Sequence, residues 1–365
     1  MDFADRLRRA AQAASTAGVD ALLVTPGPDL RYLVGYDAVA LERLTCLVVP
    51  ASGDPVLVAP RLELLAAQAS PVGALGLAVH TWGETDDPYA LVGRLIPTAR
   101  RVAVDDLMWA VKVLALREAM PGVEQQAAGG VLGTLRMRKD AAEVAALARA
   151  GDAIDAVHAQ VADILTPGMT EADAGRLIGE AILAAGHITV DFIIVASGPN
   201  AASPHHEVSD RVMQPGDSVV VDIGGCMPDG YRSDCTRTYM LGEPDPLFRE
   251  RYAVLERAQA AAVAHVRPGV TCESIDAVAR QVMADAGVAD LFVHRTGHGI
   301  GLETHEAPYI VHGNALPVEP GMAFSIEPGF YDEGRHGARI EDIVIVTEDG
   351  CRSVNTRPHG LMICG

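Results

Sequence analysis

Apolar positions along the first 25 residues change period once, and the change marks two elements. Phe3, Leu7, Ala10, Ala14 and Ala17 recur at helical spacing, and Gly18 supplies a stop. The run Ala21 to Thr25 then reads as a buried strand, closed by a turn at Pro26-Gly27-Pro28. Two further apolar runs, Cys46 to Val49 and Val56 to Ala59, flank Ser52-Gly53 in a hairpin-like pattern. Helical patterns over 61–69, 86–95 and 107–119 alternate with short strands at 77–80 and 101–104. Residues 1–133 therefore predict a small α/β domain.

A boundary falls between Gly129 and Lys139, where Arg136-Met137-Arg138-Lys139 precedes a long helical pattern carrying Val144, Leu147, Ile154, Val157, Val161 and Ile164. Pro167-Gly168 ends that helix, and Thr170 is the expected N-cap of the next, with Asp173 three residues on. After Gly186 the texture changes. Strand-like runs at 191–196, 218–223, 235–241, 322–327 and 342–346 are interrupted by helices near 247–266 and 272–286. Residues 134–365 thus predict a second, α+β domain with antiparallel sheet.

Composition narrows the classes. With 49% hydrophobic residues in 365, a large core can be buried. A net charge of −19 repels phosphate backbones and argues against nucleic-acid binding. The six cysteines form no Cys-x-x-Cys pair and suggest reduced thiols rather than a disulfide framework. Met1-Asp2-Phe3-Ala4-Asp5-Arg6 lacks a basic segment followed by an apolar run, and no run of about 18 apolar residues follows, so a cytoplasmic protein off the membrane is expected.

Five segments carry the chemistry. Asp222 closes the apolar run Val219-Val220-Val221, and Asp234 follows 12 residues later, across Met227-Pro228-Asp229-Gly230. A hairpin there would put both carboxylates on one sheet face, where they repel unless a cation or proton lies between them. Taken alone they read equally as turn-flanking aspartates. His294, His298 and His305 stand among glycines and acids in His294-Arg295-Thr296-Gly297-His298-Gly299 and its continuation, a density better explained by a site than by structure. Glu327 closes an apolar strand before Pro328-Gly329, and Glu341 opens another, with Arg339 two residues earlier on the same face. Either glutamate alone could be a solvated rim residue. Together the four carboxylates and one imidazole suit Mn, Co, Fe or Zn in a carboxylate-bridged pair. Such a pair activates water and polarises a carbonyl, which is the chemistry of hydrolysis.

In these motifs the chain resembles the pita-bread metallopeptidases, in the branch of Xaa-Pro dipeptidase (prolidase) and aminopeptidase P. Gly18-Val19-Asp20-Ala21-Leu22-Leu23-Val24 and Tyr32-Leu33-Val34-Gly35 are similar to the creatinase/prolidase N-terminal domain. The resemblance implies a pita-bread catalytic domain, two divalent ions with manganese foremost, proline-containing di- or short peptides as substrates, and a homodimer. Asp222, Asp234, His298, Glu327 and Glu341 would be the metal ligands, with Asp234 and Glu341 bridging. His205, His294 and His305 would bind substrate, and Tyr331 and Arg339 would support the bridging aspartate. A hydroxide held between the metals would attack the Xaa-Pro carbonyl, with Glu327 shuttling the proton.

Two departures stand out. The spacing of 12 between Asp222 and Asp234 exceeds the usual 11 and implies a longer turn at Pro228. After His305-Glu306-Ala307-Pro308, where many prolidases carry an arginine that grips the dipeptide carboxylate, stands Tyr309. Either longer peptides are cut, as by aminopeptidase P, or another cation serves. Arg43, in the loop Gly35 to Arg43, is one candidate; a solvated arginine or an Arg43–Asp37 pair is the alternative. A non-catalytic peptide-binding module of the same fold would require lost ligands, and all five positions are intact.

Overall fold

The computed structural model describes residues 1–364. The chain divides into two compact units, Met1–Arg136 and Met137–Gly365. In the first, helix α1 (Phe3–Thr16) leads into strand β1 (Ala21–Val24), all four of whose residues are buried. Pro28 opens a helix, α2 (Pro28–Val34), where the sequence predicts only a turn. A proline at the first helical position forgoes no hydrogen bond and has the right φ, so the same residue serves both readings. β2 (Cys46–Pro50) and β3 (Val56–Pro60) form the expected hairpin. The short helices α3 (Leu64–Ala69) and α4 (Pro71–Leu75) precede β4 (Ala78–Trp82), α5 (Pro88–Leu95), β5 (Arg101–Val104), α6 (Ala110–Ala119) and β6 (Glu124–Ala127). The sheet runs β4-β3-β2-β1-β5-β6, antiparallel at its centre and parallel outside. A further helix, α7 (Gly129–Met137), fills the stretch read as a boundary. Its paired glycines look like a linker, but the Asp106 carboxylate accepts from the Gly129 N–H at 2.8 Å and anchors the helix start.

The second unit starts with α8 (Ala141–Ile164), closed at its N-terminus by a capping box between Asp140 and Glu143. α9 (Glu171–Ala184) is capped by Thr170, whose hydroxyl accepts from the Asp173 N–H as expected. β7 (Thr189–Ser197), β8 (Ser218–Cys226) and β9 (Arg232–Leu241) follow, then α10 (Pro246–His265) and α11 (Cys272–Asp285). The remaining strands are β10 (Gly297–Gly299), β11 (Glu306–Ile310), β12 (Ala323–Ile326), β13 (Gly329–Asp332), β14 (His336–Arg339), β15 (Asp342–Val346), β16 (Cys351–Ser353) and β17 (Met362–Cys364). They assemble as β17-β9-β8-β7, β11-β10-β12-β15-β16 and the ribbon β13-β14.

Each larger sheet has its own helix layer. Ile154, Val157 and Val161 of α8 and Ile178 and Ile182 of α9 pack on Val219, Val221 and Ile223 of β8. Leu255 and Ala258 of α10 and Ile275 and Ala279 of α11 pack with Phe324 and Ile326 of β12 and Val344 of β15. The strand period of two then decides what the other face shows. With 219, 221 and 223 committed to the helices, Asp222 must face the opposite side. On β9, Cys235 and Tyr239 join the helix-side core, which turns Asp234, Thr236 and Thr238 the other way. Among the described residues no helix is long and apolar enough to cross a membrane.

Candidate active site

Register brings the two aspartates together. In the antiparallel β8–β9 pair, Asp222 lies opposite Thr236 and Gly224 opposite Asp234, so the aspartates are diagonal neighbours on one face. Pairing is unbroken from Cys226↔Arg232 to Ser218↔Met240, so the turn takes up the loop length. His298 sits at the centre of β10, between β11 and β12. Glu327 follows β12 directly, held by its N–H on the Thr296 carbonyl at 2.8 Å. Glu341 bridges to β9: its N–H donates to the Thr236 carbonyl, and the Thr236 hydroxyl donates to Glu341 Oε2 at 2.6 Å. All five line one cavity of about 810 Å³, together with His205, His294, His305, Arg295 and Arg339.

Hydrogen bonds orient the His298 ring. Its Nδ1 stands 3.1 Å from the Gly299 carbonyl, which can only accept, so Nδ1 carries the proton and Nε2 presents a lone pair. That lone pair faces Glu327 Oε1 at 3.3 Å and Asp234 Oδ2 at 3.6 Å. Burial, then neighbouring His305, pushes the His298 pKa down to about 3, so the ring is neutral. Ser325 ties the group together: its hydroxyl accepts from the His298 N–H at 3.0 Å and donates to Glu327 Oε1 at 3.0 Å.

The carboxylates lack enough cations. Burial first, then Glu341, Asp222 and Glu327, raises the Asp234 pKa well above the carboxylate range. Burial, then Glu327 and Asp222, does the same to Glu341. Burial, against the pull of Arg339, pushes Glu327 up to about 7. Asp222 Oδ1 and Glu341 Oε1 are buried with no hydrogen-bond partner, a costly state for such oxygens. The ligand atoms of Asp234, His298 and Glu341 lie within 4.8 Å of one another. Oxygens without donors, a lone pair aimed among them and clustered anionic charge fit a divalent cation, and these three residues can hold one.

Arg339 departs from expectation. Its guanidinium donates to Asp222 Oδ2, to the Thr236 hydroxyl and, at 2.8 Å, to Tyr331 Oη, and not to Asp234. β14 packs on both β8 and β9, and from there the arginine reaches Asp222 on β8 and Thr236 on β9. Tyr331 passes its own proton on. His294 Nδ1 donates to the Arg295 carbonyl at 2.7 Å, so Nε2, 2.8 Å from Tyr331 Oη, accepts. Asp222, Arg339, Tyr331 and His294 thus form a relay in which both nitrogens of His294 are engaged. Burial, then Arg339, holds the His294 pKa down at about 3. His205 and His305 make no hydrogen bond among the described residues; the His305 ring lies 4.0 Å from that of His298.

Two cations bear on the missing arginine. Arg43, in the first unit, pairs with Glu42 and Glu84, while Asp37 pairs with Arg31 instead. Arg295 lines the cavity, and its guanidinium lies 4.6 Å over the Tyr309 ring, with no ion pair or hydrogen bond among the described residues. Sequence reasoning passed over Arg295, Thr236 and Ser325. The last two were within reach, since each shares a strand face with a ligand two residues away.

The sequence pattern of metallopeptidase family M24 matches residues 145–348, and that of the creatinase/prolidase N-terminal domain matches residues 6–138. The chain is 56% identical to the probable dipeptidase PepE of Mycobacterium tuberculosis over 99% of its own length and 96% of that protein. It is 35% identical to an Xaa-Pro dipeptidase of Lactobacillus helveticus, with 92% of each chain covered. It is also 56% identical to dipeptidase PepE of Mycobacterium ulcerans, whose crystal structure superposes with a TM-score of 0.96 over 100% of this chain and 99% of that one.

Proposed function

Because the chain belongs to metallopeptidase family M24, we propose that it is a metal-dependent Xaa-Pro dipeptidase whose cavity takes two divalent ions. Asp222, Asp234, His298, Glu327 and Glu341 would hold them, with manganese foremost and Co, Fe or Zn suited to the same donors. The observation that carries this reading is the pair of buried, unpartnered oxygens, Asp222 Oδ1 and Glu341 Oε1, in the cavity that Asp234 and His298 also line. When bound, such ions lower the pKa of water and polarise a carbonyl.

The side chains supply the rest. Ser325 fixes Glu327 through Oε1, leaving Oε2 without a hydrogen-bond partner among the described residues. Through Oε2, Glu327 takes a proton from the attacking water and returns it to the proline nitrogen, which has no N–H of its own. His205 and His305 orient the scissile carbonyl and stabilise the charge that develops on its oxygen. Phe192 and Ile194 add an apolar wall for the pyrrolidine ring. Tyr331 and Arg339 hold Asp222 and His294 in place behind them. Arg295, a cation in the cavity with no ion pair, binds the carboxylate of a dipeptide in the place of the missing arginine. Tyr309 favours the second reading, an aminopeptidase P that trims longer Xaa-Pro peptides. The enzyme would work in the cytoplasm as a homodimer, consistent with six free cysteines and with exposed Leu62, Leu65, Leu107 and Val111 on the first unit.

Hydrolysis of Ala-Pro and Ala-Pro-Ala by protein of known metal content tests both readings. Chelation should abolish activity and Mn²⁺ or Co²⁺ restore it, with Ala-Pro preferred. Arg295→Ala should raise the KM for Ala-Pro about tenfold or more, as expected for a lost charged hydrogen bond, while Arg43→Ala leaves it unchanged. Full activity in exhaustively chelated protein would sink the metal reading. Preference for the tripeptide, indifferent to Arg295, would favour the aminopeptidase.

A further inference from the structure

Glu171 lies outside the cavity, yet five donors converge on it. It is fully buried in the first turn of α9, where the helix N-terminus favours an anion. Its carboxylate accepts from the Ser197 N–H at 2.8 Å and the Ser197 hydroxyl at 2.7 Å. It also accepts from Asn200 Nδ2 at 3.1 Å, His206 Nε2 at 2.8 Å and the Ser209 hydroxyl at 2.6 Å. Burial works to raise its pKa, but these hydrogen bonds outweigh burial and keep it below the usual range.

All five donors belong to one segment, residues 197–209, that leaves β7 and carries His205. That segment has little regular structure beyond a short 3-10 turn at Gly198–Ala202, so apart from the Ala172 N–H on the Ser209 carbonyl at 3.0 Å and two turn bonds within it, side-chain bonds fix it. His205 itself is exposed and has no hydrogen bond among the described residues. Its two neighbours are tied instead: the Pro204 carbonyl accepts from Arg339 at 3.3 Å, and the His206 imidazole donates to Glu171. One anchor runs to the metal-ligand side of the cavity and the other to α9, and His205 stands between them.

We propose that Glu171 is the positioning residue for His205: by gathering both ends of the 197–209 segment on one carboxylate, it sets where the imidazole meets the substrate carbonyl. The inference rests on the reading of His205 as a substrate-binding residue. Glutamine has the shape of glutamate but offers one acceptor atom and an NH₂ that faces donors, so Glu171→Gln loosens the segment without emptying the space. A catalytic group misplaced by about 1 Å can cost about 100-fold in rate.

The test is a double-mutant cycle on the metal-loaded enzyme, with kcat, KM and bound metal measured for E171Q, H205A and E171Q/H205A. E171Q should lower kcat about 10- to 100-fold, change KM less than threefold and leave metal content unaltered. In the H205A background the same change should lower kcat less than twofold, because its target is gone. Ser209→Ala, which removes one donor, should give a smaller effect of the same kind, and Glu171→Asp should recover part of the loss. Faster amide exchange confined to 197–209 in E171Q is expected. If H205A keeps full kcat, the reading of His205 fails. If H205A is impaired but E171Q costs as much with alanine at 205 as with histidine, the positioning inference is overturned while the reading of His205 stands. S209A keeps the outcome decidable if E171Q does not fold.

Discussion

Replacing Lys139 by methionine would take one charge out of an enclosed ion pair in the second unit. Lys139 Nζ meets Glu306 Oε1 at 2.5 Å, and the two side chains are 1% and 7% exposed. Gly301 closes over them, since a Cβ there would stand 2.7 Å from Glu306 Oε1 and 3.0 Å from Lys139 Nζ. Methionine fills most of the lysine's volume, so the main effect is a carboxylate left buried without this cation. Removing one partner of such a pair costs about 3–5 kcal/mol. At about 2–4 °C per kcal/mol for a unit of this size, K139M should melt about 6–20 °C below the parent. Calorimetry should use metal-free protein throughout, because a bound ion adds its own stabilisation to each variant. The double variant K139M/E306L should melt above K139M, since it no longer buries the carboxylate without this cation. A melting temperature for K139M within about 2 °C of the parent, or a double variant no more stable than the single, would refute the reasoning.

Two further outcomes follow from the site. Glu327, pushed up to about 7 by burial, binds more protons folded than unfolded, so its contribution to the stability of metal-free protein is lost as pH rises from about 4.5 through 7. Buried neutral histidines such as His158, pushed down to about 3 by burial, act in the opposite sense, because the unfolded ring gives up its proton as pH rises through about 6.5. Urea titrations of metal-free protein should therefore show the parent losing stability relative to E327Q as pH rises from about 5 to 8, a comparison in which the histidine contributions cancel; a difference independent of pH would contradict it. Gly297→Ala should cut metal affinity at least tenfold, because a Cβ there collides with the Ser325 carbonyl and drives β10, with His298, off β12; unchanged Mn²⁺ binding by calorimetry would count against that account.

Much of the framework is legible along the chain because it is local. A carboxylate closing an apolar run marks Asp222 and Glu327, and long helical periods mark α8 to α11. Short strands without alternation were not legible. β10 is only Gly-His-Gly, and β13 and β14 contain glycine, histidine and arginine; they are strands because neighbouring strands offer them ladder partners. Helices α2 and α7 were hidden behind proline and glycine read as punctuation.

By itself the sequence determined which groups could serve: five donors of the right types beside apolar runs or glycines, three histidines near them, and a tyrosine where a gripping arginine was expected. Only the tertiary structure decided how each is used. Arg339 holds Asp222 from 117 residues away, Thr236 holds Glu341 from 105, and Glu171 gathers donors from 26 to 38 residues on. Hydrogen bonds between such distant residues depend on strand register and sheet packing, which no local pattern encodes. They settle that Asp222 and Glu341 each keep one oxygen without a donor, and the same sheet packing sets Asp234 and Glu327 before the His298 lone pair.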